Sequence, residues 1–271
     1  MSLRMRDAVR GRLGELRHEP TDKWVRARLG DRTVVDSRTA LLVWEPRRVV
    51  PGYAVPDGDV AAELVPASPP AQPGPQGMLH PGIPFAVHST AGEPLSVRVD
   101  GDERPAAAFR PADPDLAGYV ALDFAAFDAW YEEDEQLIGH PRDPYHRVDI
   151  RPSTRQVRVE VGGRLVADSA RPTLVFETSL PTRFYLPRED VVADLRPSEH
   201  RTVCPYKGVA SYWSLDAHPD IAWTYRDPLP DAGRLTGLVA FFDEFVDVAV
   251  DGVPRPRPVT EWSKGPDGEP N

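Results

Sequence analysis

The sequence predicts a mainly β protein built from two tandem copies of one compact domain, with an N-terminal helix and one helix near the junction between the copies. Three observations support this fold class. An early stretch of the chain recurs later at a constant offset, short runs rich in β-branched and aromatic residues alternate with polar ones, and proline or glycine interrupts those runs every few residues. This spacing is typical of short strands joined by turns.

The first 20 residues come before the repeated part. Leu3, Val9, Leu13 and Leu16 recur at helical spacing, which predicts a short amphipathic helix within residues 1–20. The segment lacks the apolar core of a secretory signal, and no run in the chain approaches the roughly 18 apolar residues of a membrane span. A single cysteine rules out an intrachain disulfide. We therefore expect a cytoplasmic protein that does not contact a membrane.

The repeat places "RARLGDRTVVDSRTALLVWE" (26–45) over "RVEVGGRLVADSARPTLVFE" (158–177). Chance seldom gives this many identities in one register, so we interpret the chain as a tandem duplication. The pairs at this offset are Gly30 with Gly162, Asp36 with Asp168, Ser37 with Ser169, Glu45 with Glu177, and Tyr53 with Tyr185.

Each element of the repeat has a β pattern. "QVRVEVGG" alternates and ends at a glycine pair, which predicts a hairpin. "RLVADS" and "TLVFET" are short strand-like runs, and residues 237–252 supply one or two more. We assign residues 21–139 to a degenerate first domain and residues 156–253 to a complete second domain, and we expect the two to pack on each other.

Three segments differ from this pattern. "LDFAAFDAWYEEDEQL" (122–137) has apolar residues at helical spacing and acidic residues opposite them, which predicts the helix near the junction. Residues 140–155, which include "HPRDPYHR", are expected to form a rigid connector rather than a metal site. Many of the 31 prolines lie in residues 65–84 and 254–271. Because proline lacks the amide donor, we expect an insertion loop in the first case and a flexible tail in the second.

Charge and motifs narrow the possible partners. The formal net charge is −10, and an acidic surface repels phosphate backbones, which argues against nucleic-acid binding. The sequence has no glycine-rich phosphate loop and no spacing typical of metal ligands. We therefore predict neither a cofactor nor a bound metal, and an unknown small molecule as the partner.

The turn "CPYKG" (204–208) is the strongest candidate for chemistry. A turn can aim backbone amides at the sulfur of Cys204, and Lys207 adds positive charge; both favour a thiolate. The alternative is that Cys204 is a small buried side chain at the end of a strand. Lys207 on its glycine-ended turn can clamp a carboxylate or phosphate, or it can lie in solvent.

Glu177 ends an apolar strand, so its carboxylate must be exposed, paired or raised in pKa. It could act as a general base, or it could anchor a ligand amine. Alternatively it forms a salt bridge to Arg171, Arg183 or Lys207. Because Glu45 takes its place in the first copy, the structural role is favoured. The same reasoning makes Asp168 and Ser169 turn-capping residues.

Aromatic residues are concentrated in the second copy, and we expect most of them to be core. The members of each pair, Tyr212/Trp213 and Trp223/Tyr225, are expected to point to different faces of their strands, so that one member could line a cleft. An aromatic wall with acidic neighbours suits a cationic or planar ligand.

Several blocks of the second copy closely resemble the DUF427 family, a bacterial domain of unknown function found singly or in tandem. They are "VADS", "YLPREDV", "CPYKGVASYW" and "VAFF", within residues 156–252. The first copy resembles a degenerate member. The resemblance implies compact domains of coiled β-sheet and no settled activity. The family is sometimes labelled nucleotidyltransferase-like. That activity would require a Gly-Ser pair followed by paired metal-binding carboxylates, and this sequence has no such motif.

We therefore expect a small-molecule site in the second copy. Cys204, Glu177 and Lys207 are the candidate catalytic residues for acyl-type or isomerase-type chemistry. The alternatives are a non-catalytic binding module with an aromatic-lined pocket, and a structural scaffold that binds a partner. The candidate ligand-binding residues are Tyr185, Tyr206, Gly208, Tyr212 and Trp213.

Overall fold

The computed structural model describes residues 2–68 and 77–263. The chain divides into two units, Met1–Asp143 and Pro144–Asn271, and the division falls within the predicted connector. Each unit contains one seven-stranded and one four-stranded sheet, and neighbouring strands pair antiparallel. The predicted mainly β class is confirmed.

The elements of the first unit are one helix and a series of short strands. In chain order they are α1 (Met5–Gly11), β1 (Arg17–Pro20), β2 (Val25–Leu29), β3 (Arg32–Ser37), β4 (Leu41–Trp44), β5 (Gly52–Pro56), β6 (Glu63–Pro66), β7 (Gly92–Val99), β8 (Asp102–Pro111), β9 (Tyr119–Leu122), β10 (Ala129–Glu132) and β11 (Glu135–Gln136). Short 3₁₀ turns cover Asp57–Asp59, Pro114–Leu116 and Phe124–Ala126.

The second unit repeats this series without an α-helix in its described residues. Its strands are β12 (Val148–Pro152), β13 (Val157–Val161), β14 (Arg164–Ser169), β15 (Thr173–Glu177), β16 (Arg183–Leu186), β17 (Arg196–Cys204), β18 (Gly208–Leu215), β19 (His218–Pro228), β20 (Val239–Phe241), β21 (Asp247–Val250) and β22 (Val253–Pro254). Its 3₁₀ turns cover Arg188–Asp190, Pro230–Leu235 and Glu261–Ser263.

The two units have the same strand order. The seven-stranded sheets run β1-β4-β5-β9-β8-β7-β6 and β12-β15-β16-β20-β19-β18-β17. The four-stranded sheets run β3-β2-β10-β11 and β14-β13-β21-β22. Each strand of one unit therefore has a counterpart at the same place in the other, as expected for two similar domains.

Strand pairing corrects the alignment of Tyr53 with Tyr185. Leu42 pairs with Tyr53 in the first unit, whereas Leu174 pairs with Phe184 in the second. Tyr53 therefore matches Phe184, and Ala54 takes the place of Tyr185. A shift of one residue moves a side chain to the opposite face of a sheet, and the loop between the paired strands conceals that shift in the sequence.

The predicted helix over residues 122–137 is wrong. Its only helical turn is the 3₁₀ turn Phe124–Ala126, capped by the Asp123 side chain, which accepts a hydrogen bond of 3.0 Å from the Ala125 amide. Strand β10 then pairs with β2. Trp130 is buried there and stacks on Tyr53. The burial of this tryptophan in a sheet outweighs the helical spacing of the apolar residues.

The N-terminal helix is shorter than predicted. Only Met5–Gly11 is helical, and Arg17–Pro20 joins a sheet as β1. Leu3 and Val9, which should lie on its apolar face, are exposed. The apolar residues whose spacing predicted the helix are therefore only partly buried.

Described residues of both proline-rich segments contact the folded units, which a simple insertion loop and a flexible tail would not do. Leu79 in the insertion is fully buried and bridges to Arg48. In the C-terminal segment, Arg257 binds Asp247 at 2.9 Å and the Thr260 hydroxyl donates to Glu244 at 2.6 Å. Residues 69–76 and 264–271, where the rest of these predictions falls, lie outside the described residues.

Each unit has an apolar core formed by residues of both its sheets. In the second unit a further cluster lies on the other face of the seven-stranded sheet, against the 3₁₀ turn Pro230–Leu235. We refer to it as the outer cluster, and it contains two of the candidate ligand-binding residues, Tyr185 and Tyr212. It includes Val175, Tyr185, Tyr212, Trp223, Tyr225 and Leu235.

Candidate functional site

The CPYKG segment forms the tight connection between β17 and β18. The Lys207 amide donates to the Cys204 carbonyl at 3.3 Å, and Gly208 has a φ of +105°. A Cβ at position 208 would lie 3.2 Å from the Leu229 nitrogen. Glycine is therefore required here, both for its backbone conformation and for space. This geometry directs Lys207 inward, where its side chain is 10% exposed.

Lys207 meets Glu177 inside the unit. Its ammonium group donates to Oε2 of Glu177, whose side chain is 6% exposed. The other oxygen, Oε1, lies 3.1 Å from Nε2 of His146. Because an ionised carboxylate only accepts hydrogen bonds, Nε2 carries the proton. We refer to Glu177, Lys207 and His146 as the buried cluster.

The pKa values of the buried cluster keep its ion pair charged. Burial alone would raise the pKa of Glu177, but the hydrogen bond from His146 and the charge of Lys207 lower it to about 2. Burial alone would lower the pKa of Lys207, but the charge of Glu177 outweighs burial and raises it. At neutral pH Glu177 is ionised and Lys207 is protonated. With so low a pKa, Glu177 is a weak base.

Tyr185 and Cys204 adjoin this ion pair. The Tyr185 hydroxyl accepts a hydrogen bond of 2.9 Å from the Trp223 indole, and burial raises the pKa of Tyr185 to about 12. Cys204 is a free, half-buried thiol. Its interaction raises the pKa values of Lys207, Tyr185 and Tyr225, in each case as a smaller contribution than burial.

The first unit buries a glutamate at the matching place without lysine or thiol. Glu45 follows β4 as Glu177 ends β15, and it is 5% exposed. Nδ1 of His88 lies 2.9 Å from its carboxylate, and the Ser89 amide donates to it at 2.6 Å. Both units therefore pair this glutamate with a histidine and a largely buried cation, which is Arg48 at 3.8 Å in the first unit and Lys207 in the second. Only the second unit has a cysteine in the segment that supplies the cation.

The structure brings most of the predicted site residues together. Tyr206 stacks on His146 with ring centres 4.5 Å apart, next to Lys207 and Gly208. Tyr212 lies on the same outer face of the sheet, where its hydroxyl is 2.8 Å from the Thr202 hydroxyl.

Trp213 is the exception among the predicted ligand-binding residues. It packs against the core between the two sheets, on the face opposite Tyr212. The expectation of different faces is correct for this pair and wrong for Trp223 and Tyr225. Those two residues both belong to the outer cluster, because side chains two positions apart share a face of a strand.

His146 is the residue that sequence reasoning missed. It lies in the segment predicted to be a rigid connector, two residues before Val148, which pairs with Glu177. The only available signal was its position just ahead of a strand-like run. The predicted capping role is seen at Ser169, whose hydroxyl accepts from the Arg171 amide at 3.2 Å and donates to Asp190 at 2.7 Å.

The second unit also has a shallow cleft along β12, whose lining includes no residue of the buried cluster. Its volume is about 320 Å³, and it is lined by Val148–Arg151 of β12 and by Asp231 and Arg234 of the neighbouring 3₁₀ turn. Val148 is the pairing partner of Glu177, so the cleft opens next to the strand that ends at the cluster. Within residues 2–68 and 77–263, no three side chains are grouped as metal ligands.

Most of the site lies within the part of the chain that a known family model matches. Residues 149–252 match the model for a domain of unknown function, DUF427. The matched region contains Glu177, Tyr185, Cys204 and Lys207, and begins just after His146. No curated protein matches the chain.

No helix among the described residues is long and apolar enough to cross a membrane.

Proposed function

We propose that the matched region binds a small molecule at the Cys204–Gly208 turn and that Cys204 is the reactive group. The buried ion pair between Lys207 of this turn and Glu177 carries this proposal. Replacing a buried ion pair by well-packed apolar residues is often neutral or stabilising, so such a pair is weak evidence for a stabilising role. Shifted pKa values beside a free thiol are instead typical of functional sites.

Each side chain has a role in this proposal. Lys207 supplies a fixed positive charge, which can stabilise negative charge that develops on a bound ligand. Glu177 holds the lysine in place through the ion pair. Its pKa of about 2 makes it unsuited to accept a proton at neutral pH, so we do not assign it the role of general base. Tyr185 is protonated at neutral pH and can donate a hydrogen bond. A ligand with an electrophilic carbon, such as an acyl group, suits this set.

The first unit has a different role in this account. Its sheets have the same strand order as those of the second unit, and Glu45 keeps the buried carboxylate. It lacks the thiol and the lysine at that place. We take it to be a degenerate copy of the same domain whose role is structural.

A ligand screen tests the proposal. Metabolites are screened for those that both raise the melting temperature of the full-length protein and slow the alkylation of Cys204 by iodoacetamide. Since the chain has one cysteine, the alkylation signal reports on this site alone. We expect the Cys204→Ser variant to bind the same compound but not convert it. A screen in which every stabilising compound leaves the alkylation rate unchanged would contradict the proposal.

The aromatic face favours a second candidate, a non-catalytic binding module. Tyr212, Trp223 and Tyr225 share the outer face of the sheet beside the buried cluster. In that case the ligand would quench tryptophan fluorescence, Cys204→Ser would bind with unchanged affinity, and the wild-type protein would return the compound unaltered.

A further inference from the structure

A separate group of polar side chains surrounds Trp213, on the face of the sheet away from Cys204. The Arg188 guanidinium carbon lies 5.7 Å from the centre of the Trp213 ring, and that of Arg226 lies 5.8 Å from it. Arg188 comes from the 3₁₀ turn after β16 and Arg226 from β19, so two elements converge on one indole. This group is independent of the proposed function at the Cys204 turn.

The two arginines lack acidic partners among the described contacts. Arg188 donates only to the Val191 carbonyl, at 3.3 Å. The acids next to it in the chain are already engaged, since Arg171 binds Glu189 at 2.8 Å and Asp190 at 3.0 Å. Both arginines are exposed, and an anion bound at the indole could accept hydrogen bonds from their guanidinium groups.

Two buried polar atoms on this face also lack hydrogen-bond partners among the described residues. They are the Trp213 indole nitrogen and the Thr224 hydroxyl oxygen. Thr224 is 3% exposed and pairs with Ser211 on the strand next to it. A buried donor without an acceptor is unfavourable, and an oxygen of a bound anion would satisfy the indole N–H.

We propose that Arg188, Arg226 and the Trp213 indole N–H form a binding site for a small anionic group of the phosphate or carboxylate type. Guanidinium groups bind both through paired N–H donors.

The indole N–H resonance of Trp213 in the full-length protein tests the proposal. It is assigned among the six tryptophans by its loss in Trp213→Phe. Inorganic phosphate and succinate are titrated separately at constant ionic strength, with chloride as the reference anion. We expect a saturable shift with at least one of them, and the tighter of the two identifies the preferred group.

Variants separate this site from general charge effects. We expect the Arg188→Gln/Arg226→Gln double variant to lose the shift, and Arg201→Gln, which removes an exposed arginine elsewhere, to retain it. Circular dichroism confirms that each variant is folded. The proposal is overturned if neither anion shifts the resonance below about 10 mM, if chloride shifts it equally, or if the folded double variant responds as the wild type does.

Discussion

Glu177 is the residue on which the buried cluster depends. It is the only carboxylate that the described contacts place against the Lys207 ammonium, and it also holds His146. The sequence predicted its partner among three alternatives, because a carboxylate at the end of an apolar strand needs a nearby cation. The sequence could not indicate His146, since that contact depends on the pairing of β12 with β15.

Replacing Glu177 by glutamine should destabilise the protein by roughly 3–5 kcal/mol at neutral pH, because it leaves Lys207 buried without its counter-charge. Urea unfolding of Glu177→Gln measures this, with the exposed Glu199→Gln on β17 as the matched control, expected within about 0.5 kcal/mol of the wild type. A loss below about 1 kcal/mol in Glu177→Gln would show that the pair is not the close contact described here.

The same carboxylate makes stability depend on pH. The pKa of Glu177 is about 2 in the folded protein against 4.5 as the reference. Between these values the unfolded chain binds more protons than the folded protein, so the stabilisation is complete above pH 4.5 and is lost as pH falls towards 2. This part of the acid dependence should be absent from Glu177→Gln.

The β17–β18 connection is the element that forms the site. Its sequence predicted a turn because proline and glycine flank the lysine. The direction of Lys207 was left open between solvent and a pocket, since it depends on the positive φ of Gly208 and on the chain at Leu229. Both are properties of the assembled sheet.

Gly208→Ala should cost about 1–3 kcal/mol, because alanine is strained at a φ of +105° and its Cβ would crowd the Leu229 nitrogen. Gly233→Ala is the matched control, since no atom lies within 4 Å of a Cβ there and no positive φ is required. Chemical denaturation compares the two variants. Equal stabilities would mean that the turn does not need glycine.

Two other elements show why local patterns were misleading. Residues 122–137 have helical spacing, yet Trp130 is buried as part of β10, between β2 and β11. Tyr53 and Tyr185 align in sequence but lie on opposite faces of equivalent sheets. In both cases strand register, which the linear sequence does not contain, decided the outcome.

At the scale of the whole molecule, the repeat predicted the architecture. Two units with the same strand order and separate cores were expected from one aligned stretch and its turn glycines. The difference between the units is chemical. Both bury a glutamate beside a histidine, but only the second unit adds Lys207 and Cys204, and the central claim is that this addition makes a reactive site.

The alkylation rate of Cys204 by iodoacetamide at pH 7 tests that claim most directly, in the native protein and in the protein unfolded in urea. We expect the native thiol to react at least roughly tenfold faster than the unfolded one. Lys207→Met should abolish the difference in a folded variant, and the exposed control Arg201→Met should preserve it. A native thiol that reacts more slowly than the unfolded one would make Cys204 a packing residue and contradict the account.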